Sequence, residues 1–182
     1  MATKKAVSKK AVSKKAVSKK AASGSPTKRK AAAPKKGSVA DSWAEGYRPL
    51  IEACREHFGF LVRDHGFAEP EVKIDPPSAM ITFRRGTDFV RLESEYVGEP
   101  FTAVHAGEGE PFGLATIMAE LAPDHAATKP TPVGSVLKPE EMRAMVAHQA
   151  AFVARHPEVL RGDPALLARF KAREVAMRSA SS

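Results

Sequence analysis

The chain has a single cysteine in 182 residues, no acidic residue before Asp41, one tryptophan, and no long apolar run. One cysteine, Cys54, excludes an internal disulfide and favours a reducing, intracellular compartment. No apolar stretch approaches the ~18 residues that a membrane span needs, so no membrane partner is expected. The basic N-terminus is not followed by an apolar segment, which excludes a secretory signal. It also lacks the arginines and the amphipathic face of a transit peptide. There is no Gly-Lys-Ser/Thr, no CxxC and no pair of histidines four apart, so neither a cofactor nor a metal is expected.

What is present divides near residue 40. Residues 1–40 hold 12 Lys and one Arg with no Asp or Glu, a formal charge of +13, whereas the whole chain is +8. Residues 41–182 therefore carry −5, from 16 basic and 21 acidic residues. Within them the acids dominate 41–137 (eight basic, 16 acidic) and the bases dominate 138–182 (eight basic, five acidic). A pI of 9.7 averages a polycation and a mildly acidic domain of about 140 residues, enough for one core.

Lys4-Lys5-Ala6-Val7-Ser8 recurs at 9–13 and 14–18 and decays to Lys19-Lys20-Ala21-Ala22-Ser23. On a helix each five-residue copy turns about 140° past the last, so the lysines spread round the axis and Val7, Val12 and Val17 form no stripe. An amphipathic membrane helix is thereby excluded, and self-repulsion predicts a disordered tail over 1–40. Limited trypsin digestion is expected to strip it rapidly and leave a fragment from about residue 37. A protected N-terminus would show that the repeat is ordered.

Order is expected from Asp41 or Ser42. Ser42-Trp43-Ala44-Glu45 has capping-box spacing. Trp43, Tyr47, Leu50, Ile51, Cys54, Phe58, Leu61 and Val62 follow at helical steps, with Gly59 loosening the last turns and Gly66 as the stop. Val72 and Ile74 mark a short strand ended by Pro76-Pro77. Ser78 to Ala106 reads as three antiparallel strands. Ala79, Ile81 and Phe83 line one face of the first, and Val90, Leu92, Ser94 and Tyr96 one face of the second, opposite Arg91, Glu93 and Glu95. These charges and Arg84 suit cross-strand ion pairs or a partner surface.

Leu114, Ile117, Met118 and Leu121 mark a short helix closed by Pro123, and Asp124 to Val136 reads as loop. Pro139-Glu140-Glu141 opens a helix with Met142, Met145, Val146, Gln149, Phe152 and Val153 inward. A last helix from about Pro164 to Met177 carries Leu166, Leu167 and Phe170. The fold class is α+β: an N-terminal helix on a small antiparallel sheet of three or four strands, then C-terminal helices. One domain is expected over 41–178, with a core over 41–122 and the C-terminal helices over 138–178.

The functional signal is the tail. Phosphates neutralised by lysine release condensed counterions, which drives sequence-independent binding. Lys4, Lys5, Lys9, Lys10, Lys14, Lys15, Lys19, Lys20, Lys28, Arg29, Lys30, Lys35 and Lys36 are the candidate nucleic-acid-binding residues. Their vocabulary of Lys-Lys, Ala, Val, Ser and Pro, with Ala-Ala-Ala-Pro-Lys-Lys at 31–36, resembles the tails of linker histones and bacterial histone-like proteins. That resemblance covers residues 1–40 and implies DNA or RNA association, in the cytoplasmic nucleoid of a bacterium or in a nucleus. Residues 41–182, with FLVRDHGF, ITFRRGTDFVRLESEY and HPEVLRGD, resemble small α+β domains of high-GC bacteria, some of them immunity proteins. This second resemblance implies a protein partner for the acidic domain and carries no site residue.

Elsewhere the residues favour plain structural roles. Gly107-Glu108-Gly109-Glu110-Pro111-Phe112-Gly113 departs from the dinucleotide fingerprint, and its two carboxylates repel phosphate, so it reads as a flexible turn. Cys54 falls on the buried stripe. Of the six histidines (His57, His65, His105, His125, His148 and His156), His105 beside this turn is the one candidate for a catalytic pocket, with Glu110. Three functions follow: a non-enzymatic nucleic-acid-associating protein, a protein-binding acidic domain with an accessory tail, and a small enzyme acting near His105 and Glu110.

Overall fold

The computed structural model describes residues 39–132 and 134–180. Six α-helices are found there: α1 (Val39–His57), α2 (Phe60–His65), α3 (Leu114–Leu121), α4 (Pro123–Ala127), α5 (Pro139–Arg155) and α6 (Pro164–Ala180). Five strands, β1 (Glu71–Asp75), β2 (Ser78–Arg85), β3 (Asp88–Glu95), β4 (Phe101–His105) and β5 (Phe112–Gly113), form one antiparallel meander in chain order. The architecture is α+β, with one more strand than the alternation suggests. Phe112 and Gly113, inside the stretch read as a flexible turn, pair with Val104 and Ala103.

Alternation sorts the sheet into two faces. Ala79, Ile81 and Phe83 of β2 and Val90 and Leu92 of β3 are buried with Val104 of β4 in a single core. Tyr47, Leu50, Cys54 and Phe58 of α1, Ile117 of α3 and Met142, Met145, Val146, Phe152 and Val153 of α5 join them there. The helices thus cover one face of the sheet, and the α1 stripe enters the same core, with Phe58 of the stripe beside Phe83 of β2. The other face carries Lys73, Met80, Arg84, Phe89, Arg91, Glu93 and Phe101. In its middle the small Thr82 and Ala103 lie buried beside Arg91, their cross-strand neighbour.

Several local choices fix this arrangement. Gly66 ends α2 at φ +71°, the left-handed conformation that only glycine adopts without strain, and its N–H bonds the Leu61 carbonyl. Between α1 and α2, Phe58 N–H still reaches the Cys54 carbonyl at 2.9 Å, so the break near Gly59 is a step rather than a turn of the chain. The Tyr47 hydroxyl, inside the core, donates to the Pro77 carbonyl and accepts the Val97 N–H at 3.2 Å, pinning two sheet turns to α1. Arg85 spans Asp88 (3.1 Å) and the carbonyls of His65 (3.1 Å) and Leu160, with its guanidinium 4.7 Å from the Phe67 ring centre. Burial opposes ionisation of Asp88, but the Gly107 N–H and the Arg85 guanidinium outweigh it and hold the carboxyl below its usual range. At the same end the backbones of Gly107 and Gly162 touch. A β-carbon on Gly162 would lie 2.8 Å from the Gly107 nitrogen, and both glycines have positive φ.

Three expectations are corrected. The first helix opens at Val39, and Ser42 lies exposed in its first turn, so the capping-box spacing at 42–45 does not mark the helix start. Asp41 and its neighbours are compatible with helix, and an acid in the first turn favours the positive end of the dipole. Tyr96 is 62% exposed, because the chain turns at Tyr96 and Val97 (φ +51° and +55°) and the strand's alternation stops at Glu95. Part of the loop after Pro123 is helical, as α4, with Pro123 in its first turn. α5 opens as read: Pro139 follows Lys138, whose N–H bonds the Glu141 carboxylate at 2.9 Å. α6 starts at Pro164, where the Asp163 carboxylate accepts the N–H groups of Ala165 (2.8 Å) and Leu166 (3.1 Å).

Candidate functional site

The 13 cationic positions between Lys4 and Lys36 lie outside the described residues.

On the open sheet face, Arg84, Phe89 and His105 are direct cross-strand neighbours on β2, β3 and β4. Phe89 and His105 stack with ring centres 5.1 Å apart and planes 8° from parallel, and Arg84 and Arg91 stand 5.9 and 5.5 Å from the Phe89 centre. Arg84 reaches Glu71 at 3.9 Å in space across the sheet, while Arg91 approaches Glu93 at 3.9 Å along its own strand. Charges of both signs alternate here, so this face presents no cationic track.

His105 Nε2 lies 3.1 Å from the Gly109 carbonyl, closing the turn that follows β4. Glu110 instead lines a cavity of about 440 Å³ between that turn and α6, with Glu108, Lys171 and Glu174. His105 is not among the residues that line it. The two residues nominated for catalysis therefore do not share a cleft. Among the described residues no group of three His, Cys, Asp or Glu side chains is placed to hold a metal ion. No described helix is long and apolar enough to cross a membrane.

Cys54 is fully buried in the α1 stripe, and burial pushes its thiol up to about 12. The thiolate is the reactive form, so native protein at pH 8 is expected to resist a thiol reagent that labels the unfolded chain at once. Fast native labelling would place Cys54 at the surface.

The cluster that sequence spacing missed joins α4 to α5. His125 and His148 stack face to face, ring centres 4.0 Å apart and planes 1° from parallel. His125 Nε2 donates to the His148 carbonyl at 3.2 Å, and Arg155 approaches the His125 Nδ1 at 3.5 Å. His148 is held below the ordinary histidine value of 6.5 by burial first, and then by the positive charge or potential charge of His125, Arg155 and Lys129. A depressed histidine favours the neutral form in the fold. The unfolded chain therefore takes up the proton first, and stability falls as pH drops below 6.5 towards the folded value. His148→Gln is expected to lose less of its thermal midpoint than wild type between pH 7 and pH 5. Equal losses would show that His148 does not contribute.

Beside this pair, a cavity of about 150 Å³ opens between β4, α3 and α5. Thr102 (2% exposed) donates to the Gln149 Oε1, and the Gln149 Nε2 donates to the Pro100 carbonyl at 3.0 Å. Periodicity places Gln149 on the buried face of α5, where it lies. Its partners, 47 and 49 positions away, carry no sequence signal.

Comparison of the chain with protein-family models, curated proteins and solved structures returns no match.

Proposed function

We propose that the protein associates with nucleic acid without sequence preference, through its lysine-rich N-terminal segment. One observation carries this reading: 13 positive charges and no carboxylate in the first 40 residues. With no internal anion to compete, phosphate is the natural complement of those lysines, and release of condensed counterions supplies the driving force. Lysines on flexible stems are point charges rather than rigid forks, which suits backbone contact and not base reading. Residues 41–182 carry −5 and are not expected to hold a polyanion by themselves. The tail is the anchor in this reading, the acidic domain is what it delivers, and no chemical step is involved.

Co-purification tests it. Full-length protein isolated at low salt is expected to bring down nucleic acid that nuclease treatment removes, and protein lacking residues 1–40 to come down without it. Nucleic acid retained equally by both would contradict the reading. A protein partner retained by the shortened chain alone would favour the acidic domain as the active part.

A further inference from the structure

The cavity between β4, α3 and α5 has the make-up of a ligand pocket that the tail's function does not use. Its apolar wall includes Leu114, Met118 and Met145. At about 150 Å³ it matches the size at which an apolar protein cavity accommodates one six-membered ring.

Its polar groups are few and uncharged where they are buried. Gln149 uses one N–H and one oxygen lone pair on Pro100 and Thr102, which leaves one of each for another partner. His148 also lines the cavity, and its Nε2 is buried with no hydrogen-bond partner. A buried nitrogen without a partner is an unmet acceptor or donor, and such groups in native structures have a reason. The charged residues at the cavity's exposed end, Lys129 and Glu99, are paired with each other. The cavity therefore offers no net charge to a ligand, and an ion would lose its hydration without compensation.

We propose that this cavity binds a small, uncharged, ring-bearing molecule with one hydroxyl or N–H group, the ring against Met118 and Met145 and the polar group on His148 and Gln149. The site is independent of nucleic-acid association, and each can fail without the other.

The test follows methionine methyl resonances in the full-length protein at pH 7.5 during titration with phenol and, separately, benzene. Met118 and Met145 methyls are expected to shift, while Met142, buried elsewhere on α5, stays in place. Phenol is expected to bind about tenfold tighter than benzene, the effect of one added hydrogen bond. His148→Phe is expected to erase that preference and keep benzene binding. Ala115→Trp changes an exposed residue of the rim, so the fold should persist, and it is expected to block both probes. No shift with either probe up to about 10 mM, a range open to ligands of this size, would overturn the proposal. So would equal affinity for the two probes, or a phenol preference unchanged by His148→Phe.

Discussion

Phe58→Ala is expected to cost about 3–5 kcal/mol of folding free energy, the range for truncating a large buried ring. Phe58 is fully buried where α1 hands over to α2, with ring centres 6.1 Å from those of Phe60 and Phe83. Deleting the ring removes contacts on the sheet side through Phe83 and on the α2 side through Phe60 together. Neighbours anchored in a sheet collapse little, so most of the cavity remains. Urea unfolding gives the value, with a lowered midpoint and an unchanged slope. An unchanged midpoint would show that the ring is not part of the core.

The second large effect belongs to the tail. If roughly 6–10 lysines contact phosphate, affinity for duplex DNA is expected to fall about 10³- to 10⁵-fold between about 50 and 200 mM salt. Replacing the eight lysines at 4–5, 9–10, 14–15 and 19–20 by glutamine is expected to abolish most of the binding and to flatten the salt dependence. The thermal midpoint of the domain is expected not to change, because the repeat's lysines and scattered valines form no apolar stripe for a core. Changing the DNA sequence should alter affinity little. A strong sequence preference, or binding insensitive to salt, would point to base contacts instead.

The parts of the fold legible in the sequence are those governed by local periodicity. The stripe from Tyr47 to Leu61, the alternation of Val90 and Leu92 with Arg91 and Glu93, and the inner face of α5 each repeat a rule over several residues. Burial follows that rule in each. Gly66 was legible because a left-handed helix end demands one residue type. What was not legible depends on where a pattern stops or on distant partners. Tyr96 continues the alternation of β3 in sequence but sits in the turn. Phe112 and Gly113 are too short a run to register as a strand until β4 is beside them. His125 and His148 meet because α4 packs against α5, and a separation of 23 residues fits no metal or catalytic spacing.

Composition alone nominates the candidate nucleic-acid-binding residues, since the case for them is a charge balance rather than a geometry. Arg169, Lys171 and Arg173 on α6 are exposed, although Arg169 bonds Glu120 of α3 at 2.8 Å. They form the one other basic stretch that could rival it. Its weakness as a rival is physical: three cations on a domain of net −5 release few counterions.

The most direct test of the tail as the anchor is the affinity of full-length protein and of protein lacking residues 1–40 for the same duplex DNA at the same salt. The account predicts tight, salt-sensitive binding by the full chain and none by the shortened one, which still unfolds cooperatively on heating. Equal affinity of the two would contradict it, and Arg169, Lys171 and Arg173 would then be the residues to replace.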